Sequence, residues 1–288
     1  MAIQNPIVWG WGQVRDATHS VGSASAEEYW QAPAAPLGAL VVRRIGLADI
    51  REALVKGAAD FAANRTDVVF LCLIYPIIGL VIERAALGYG ALHMLFPLAS
   101  GFAILGPFFA IGLYEISRRR ERGEESRWVS GFGVLRSPAI GKIVLLGAGL
   151  IVIDLIWLAL AQLIFEHTLG PADPASLLLF LHAVFFTRAG WAMIVLGVLV
   201  GGALAALALT LGVASFPLLL DRNVPLNLAM ATSLRVVAEN RLMMAVWGVI
   251  VAGGLVLGAL PLLVGLIVVL PILGHATWHL YRALVAVP

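Results

Sequence analysis

Long apolar runs joined by short polar connections dominate the chain. Runs over residues 68–86, 91–116, 140–165 and 191–219 each reach or exceed the roughly 18 apolar residues a membrane-spanning helix requires. A last run, residues 242–281, is too long for one crossing, and Pro261 near its middle is the predicted break. Six spans result. Amphipathic stretches precede them in pairs. Leu47, Ile50, Leu54, Ala58 and Phe61 recur at helical spacing, with Asp49, Arg51, Glu52, Lys56 and Asp60 on the other face. Trp128, Phe132 and Leu135 form a second, shorter stripe. Leu226, Met230, Leu234 and Val237 form a third, with Asn223 as the expected N-cap.

The recurring order is amphipathic helix, span, short outer turn, span, over residues 47–117, 126–220 and 224–283. Ala62-Ala63-Asn64-Arg65 and Ala238-Glu239-Asn240-Arg241 precede the first and fifth spans, and Pro107, Pro217 and Pro271 punctuate the second, fourth and sixth. The expected fold is therefore all-α: a polytopic membrane helix bundle of six spans in three repeats. It occupies residues 44–288, behind a mostly disordered tail over residues 1–43 that carries Trp9, Trp11 and Trp30.

Charge orients this frame. The connection RRRERGEESRWVSGFGVLRSPAIGK, residues 118–142, is strongly basic, and basic short loops stay on the cytoplasmic side. With both termini inside, all nineteen Lys and Arg except Arg84 and Arg188 fall on that side. Composition agrees: 61% of residues are hydrophobic and 12% charged, with mean hydropathy +0.96, whereas soluble domains carry about 25% charged residues. The pattern is not the alternating, roughly ten-residue strand pattern of a β-barrel. A net charge of +2, segregated by loop, gives no nucleic-acid footprint. The lipid bilayer is the expected partner, with a membrane-protein complex or a homo-oligomer beyond it.

Candidate chemistry is sparse. HExxH, Walker, GxSxG and CxxC signatures are all missing from the sequence. Cys72 reads as a small core residue and Ser100 as a packing residue, not a nucleophile. Gly197-xxx-Gly201 and Gly254-xxx-Gly258 permit close helix approach, within one chain or between two. Asp154 falls near the middle of the third span, where an acid costs about 3 kcal/mol to insert. Gly147 and Ala161 share its face, so it is expected to face other helices. Two readings follow: an ion or proton site, or a neutral carboxyl hydrogen-bonded to a neighbouring helix. His275 and His279 are four residues apart, a spacing that suits a metal, at the cytoplasmic end of the sixth span, where interfacial Trp, Tyr and His also gather. Glu83, Glu115 and Asp221 stand beside arginines as boundary ion pairs. No cofactor is predicted.

Several stretches carry a resemblance. They include Asn5-Pro6-Ile7-Val8-Trp9-Gly10, Arg44-Ile45-Gly46-Leu47-Ala48-Asp49, Phe96-Pro97-Leu98-Ala99-Ser100-Gly101-Phe102, Ser215-Phe216-Pro217-Leu218-Leu219-Leu220-Asp221-Arg222 and Gly274-His275-Ala276-Thr277-Trp278-His279. Through them the chain resembles proteobacterial predicted integral membrane proteins classed as a domain of unknown function, some labelled putative cytochrome c oxidase proteins. The resemblance implies a bacterial inner-membrane protein and brings no activity or site residues. The chain departs from an oxidase catalytic subunit: it has half the spans, too few in-membrane histidines and no His-Pro-Glu-x-Tyr motif. The functions to weigh are thus a non-enzymatic accessory or scaffold protein, a small-solute or ion transporter using Asp154, and a haem- or metal-binding redox component.

Overall fold

The computed structural model describes residues 40–72, 92–124, 128–170, 176–260 and 263–286. The expected tail up to residue 39, the first span beyond residue 72, its outer turn and Glu83 lie outside them. Elements run in the order β1 (Val41–Val42), α1 (Leu47–Cys72), α2 (Leu95–Phe109), α3 (Ile111–Glu121), α4 (Ile140–Thr168) and α5 (Leu177–Phe186). Then come α6 (Arg188–Gly212), α7 (Ser215–Asp221), α8 (Leu226–Glu239), α9 (Arg241–Ala259), α10 (Leu266–Leu284) and β2 (Val285–Ala286). Among the described residues, four helical segments are long and apolar enough to cross a membrane: Leu95–Glu121, Ile140–Thr168, Arg188–Asp221 and Arg241–Ala259. In the long last run one helix ends at Ala259 and the next begins at Leu266; the expected break at Pro261 lies outside the described residues.

The helix ends sort into two faces of the bundle. At one, the basic end, Arg122 of the α3 exit lies 3.9 Å from Asp221 of α7, and Arg282 of α10 reaches Glu121 at 3.0 Å and Asp221 at 3.4 Å. The start of α4 joins it, since Lys142 Nζ donates to Asn223 Oδ1 (2.7 Å) and to the Val224 carbonyl (3.0 Å). The far end holds His93, in the 3-10 turn Leu92–Met94, and the last turns of α4. Strands β1 and β2 pair antiparallel, Val41 with Ala286 and Val42 with Val285, fastening the entry to the exit of the bundle. Asn240, between α8 and α9, locks this clasp: its Oδ1 accepts from Ile45 N (2.9 Å) and its Nδ2 donates to the Arg43 carbonyl (3.0 Å).

Several local expectations need correction. First, α1 runs unbroken from Leu47 to Cys72, so the amphipathic stretch and the start of the first span form one helix. Second, its inward face is Ile50, Ala53, Gly57 and Asp60, while Leu47 is exposed and Leu54 half-buried. Gly57 is the reason: a Cβ there would come within 2.6 Å of Ala276 N and 2.8 Å of the Ile272 carbonyl, so α1 and α10 touch backbone to backbone.

Third, α8 buries Ala229, Thr232, Ser233 and Val236 and leaves Leu234 exposed. The break between α6 and α7 explains that choice. It frees backbone groups, and Ser233 Oγ accepts from Ala214 N (3.2 Å) while donating to the Thr210 carbonyl (2.7 Å). Buried backbone polar groups need partners, so the hydroxyl face turns inward and the leucine outward. Fourth, α8 starts after Pro225 with no side-chain cap, because Asn223 is engaged by Lys142.

The outer connection between α4 and α6 is also more than a turn. It contains α5, capped by Ser176 (from Leu179 N, 3.3 Å), and Thr187 caps α6 in turn (from Gly190 N, 3.0 Å). Of the glycine pairs, Gly201 receives the Trp157 ring, Gly254 faces Leu273 and Val269, and Gly258 abuts Gly265 and Leu266. These contacts are within the chain. Gly197 meets nothing.

Candidate functional site

Four elements converge at the basic end: α1 brings Asp60, α3 brings Glu115 to Glu121, α7 brings Asp221, and α10 brings His275 to Arg282. Asp60 is 5% exposed, and Ser117 and His275 are fully buried. Ser117 Oγ donates to Asp60 Oδ2 at 2.6 Å, and His279 Nε2 lies 2.8 Å from the same oxygen. An ionised carboxylate only accepts, so His279 carries its proton on Nε2. The single hydroxyl proton of Ser117 is committed to Asp60. The 2.7 Å contact between Ser117 Oγ and His275 Nδ1 therefore runs from the imidazole N–H to the hydroxyl oxygen. The result is one continuous chain, His275–Ser117–Asp60–His279. Arg120 completes it, 3.3 Å from Asp60 Oδ1.

Burial by itself would raise the Asp60 carboxyl. The hydrogen bonds from His279 and Ser117, with the neighbouring imidazole charge, outweigh it and hold the group below the ordinary carboxylate value. Around this chain lie further satisfied ions. Glu115, with no exposed side-chain surface, is held by Arg118 (2.7 Å) and Arg119 (2.7 Å). Trp278 Nε1 donates to Glu121 at 3.0 Å, and the Tyr281 hydroxyl to Asp221 at 3.0 Å. Glu115 and Asp221 are thus ion-paired, but in the interior of the end cap. A cleft of about 540 Å³ opens over Asp60, His279, Arg120, Glu121, Arg282, Glu52 and Lys56. Asp49 lines it too, so its acids and cations are mixed, and Lys56 is itself 2.7 Å from Glu52.

The sequence-derived candidates are thereby located. His275 and His279 both belong to the relay, one through Ser117 and the other directly on Asp60. Among the described residues, no group of three or more His, Cys, Asp or Glu is arranged to hold a metal ion. Asp154 stands apart, in the middle of α4, with its carboxyl laid against Gly101 of α2: a Cβ at Gly101 would lie 2.6 Å from Asp154 Oδ1. That oxygen is buried with no hydrogen-bond partner among the described residues. Sequence reasoning missed Ser117 and the burial of Asp60. The available signal was Gly57 three residues earlier, which marks the close-packed face of α1.

A family model described as "Predicted integral membrane protein (DUF2189)" matches residues 95–221, the stretch from α2 to α7 that contains Asp154. No curated protein and no solved structure matches the chain. The family description and the four apolar helices together identify a multi-pass helical integral membrane protein.

Proposed function

We propose that this is a non-enzymatic protein of the bacterial inner membrane, acting as an accessory or scaffold component, with six spans in three repeats and both termini in the cytoplasm. The observation that carries the reading is the division of labour in the bundle. Its charged side chains are spent on one another at the basic end, where Asp60, Glu115, Glu121 and Asp221 each meet a cation of their own cluster. The spanning part closes on Trp157, Leu150, Ala208 and Trp247, all nearly inaccessible. An end cap of this kind holds helices in register and presents a fixed polar face to a neighbour. Charge asymmetry supports the orientation.

Solubilisation in mild detergent tests it. The scaffold reading expects the chain to copurify in fixed ratio with defined membrane proteins, and expects proteoliposomes of the chain alone to show no solute flux. Saturable flux would move the function to transport. The transport reading rests on a specific observation, the oxygen of Asp154 that is buried without a hydrogen-bond partner among the described residues.

A further inference from the structure

Between the far end of the bundle and Asp154 runs a seam of polar groups, contributed by facing positions of the α2 entry and α4. At its mouth His93 Nε2 lies 2.6 Å from Gln162 Oε1, and Gln162 Nε2 donates to Glu166 Oε1 at 2.8 Å. One step inward, Trp157 Nε1 donates to the Pro97 carbonyl (3.1 Å) and to Ser100 Oγ (3.0 Å). Ser100 donates to the same carbonyl at 3.0 Å. The next facing pair is Gly101 and Asp154.

The register is that of two antiparallel helices: His93, Ser100 and Gly101 descend one side while Gln162, Trp157 and Asp154 descend the other. Beyond Asp154 the seam stops. The Phe108 ring occupies the space over Gly147, and Leu150 and Ile153 are buried beside it.

We propose that Asp154 is a proton-binding site in exchange with the far side of the membrane alone, through the seam lined by His93, Gln162, Ser100 and Trp157. Three observations converge on it. The inner end of the seam is an acid with a bare, buried oxygen. Its described polar groups lie in steps on one side of Asp154 only: Ser100 with Trp157, then His93 with Gln162. Among the described residues of the helices that line it, no cation stands beside the carboxylate: α2 carries no charged residue, α6 carries only Arg188 at its far-end start, and on α4 Lys142 sits at the basic end and Glu166 and His167 at the far end. Hydroxyl, indole and amide groups arrange polar contacts without fixing a charge, and His93 stands at the mouth with its ring stacked on Phe165. The binding step is protonation of the carboxylate; no other bond changes. The inference goes beyond the scaffold reading and does not depend on it.

Dicyclohexylcarbodiimide, which reacts with protonated carboxyls in apolar surroundings, provides the test on the full chain in sealed membrane vesicles of each orientation. The adduct is read by mass on the Asp154 peptide. We expect labelling to follow the pH of the compartment facing His93, falling about tenfold per unit above its midpoint. It should ignore the pH of the other compartment and be lost in Asp154→Asn. Gln162→Leu, which leaves Asp154 untouched, should slow the response to a pH jump while the final extent stays the same. Labelling that follows the pH at the basic end, or that is unchanged by pH on both sides, overturns the proposal. So does a folded wild-type protein in which Asp154 is never labelled.

Discussion

Asp60 shows how much one residue can organise when it is buried but fully partnered. It receives Ser117, His279 and Arg120, and truncating one partner of such a buried charged group costs more than the pair contributes net. Its carboxyl lies below the ordinary value of 3.8 in the folded chain. The unfolded chain therefore takes up its proton at higher pH than the folded one. The contribution of Asp60 is complete above that ordinary value and disappears as the pH falls through the lower, folded one. Asp60→Asn removes the charge while keeping the shape. It should destabilise the detergent-solubilised protein by about 2 kcal/mol at neutral pH, and the gap to wild type should narrow as the pH falls below that range. Thermal unfolding of both proteins from neutral to strongly acidic pH checks this; a gap that widens on acidification would mean Asp60 is not ionised in the fold. Legibility also divides at this scale. Asp154 was visible because a charge inside a long apolar run has few explanations. Asp60 was not, because its position on α1 reads as polar face until α10 is known to cover it.

At the scale of elements, the apolar runs marked where most helices lie, but not how those helices face. In water an apolar stripe must turn inward; beside lipid, apolar side chains lose nothing by facing out, and small or hydroxylated residues take the interior. Leu47 and Leu234 are exposed while Gly57, Thr232 and Ser233 are inside. Ser233 is a partner for a helix break that the sequence of α8 alone does not contain. The contact between α1 and α10 provides the sharpest check. Gly57→Ala forces a Cβ onto the backbone of Ala276 and should cost about 1–3 kcal/mol. Gly253→Ala in α9, where a Cβ meets nothing within 4 Å, should be neutral or slightly stabilising, since alanine favours helix over glycine. Equal melting temperatures for the two variants would contradict the close packing of α1 on α10.

For the whole molecule, alternation of basic and apolar segments made the membrane class, and the sharing of one end by several helix termini, legible in the sequence. The helical connection α5 was not legible, because the apolar stretch over residues 177–186 is too short to read as a span of its own. Helices α3, α7 and α10 end together at one face, and the proposed orientation puts that face in the cytoplasm. Reporter fusions after Arg120, Arg222 and Arg282, with one after Pro171, test it most directly. The first three should report cytoplasm and the fourth the opposite side. A fusion at Arg222 that reports the opposite side would separate Asp221 from Arg282 by a membrane and contradict the whole arrangement.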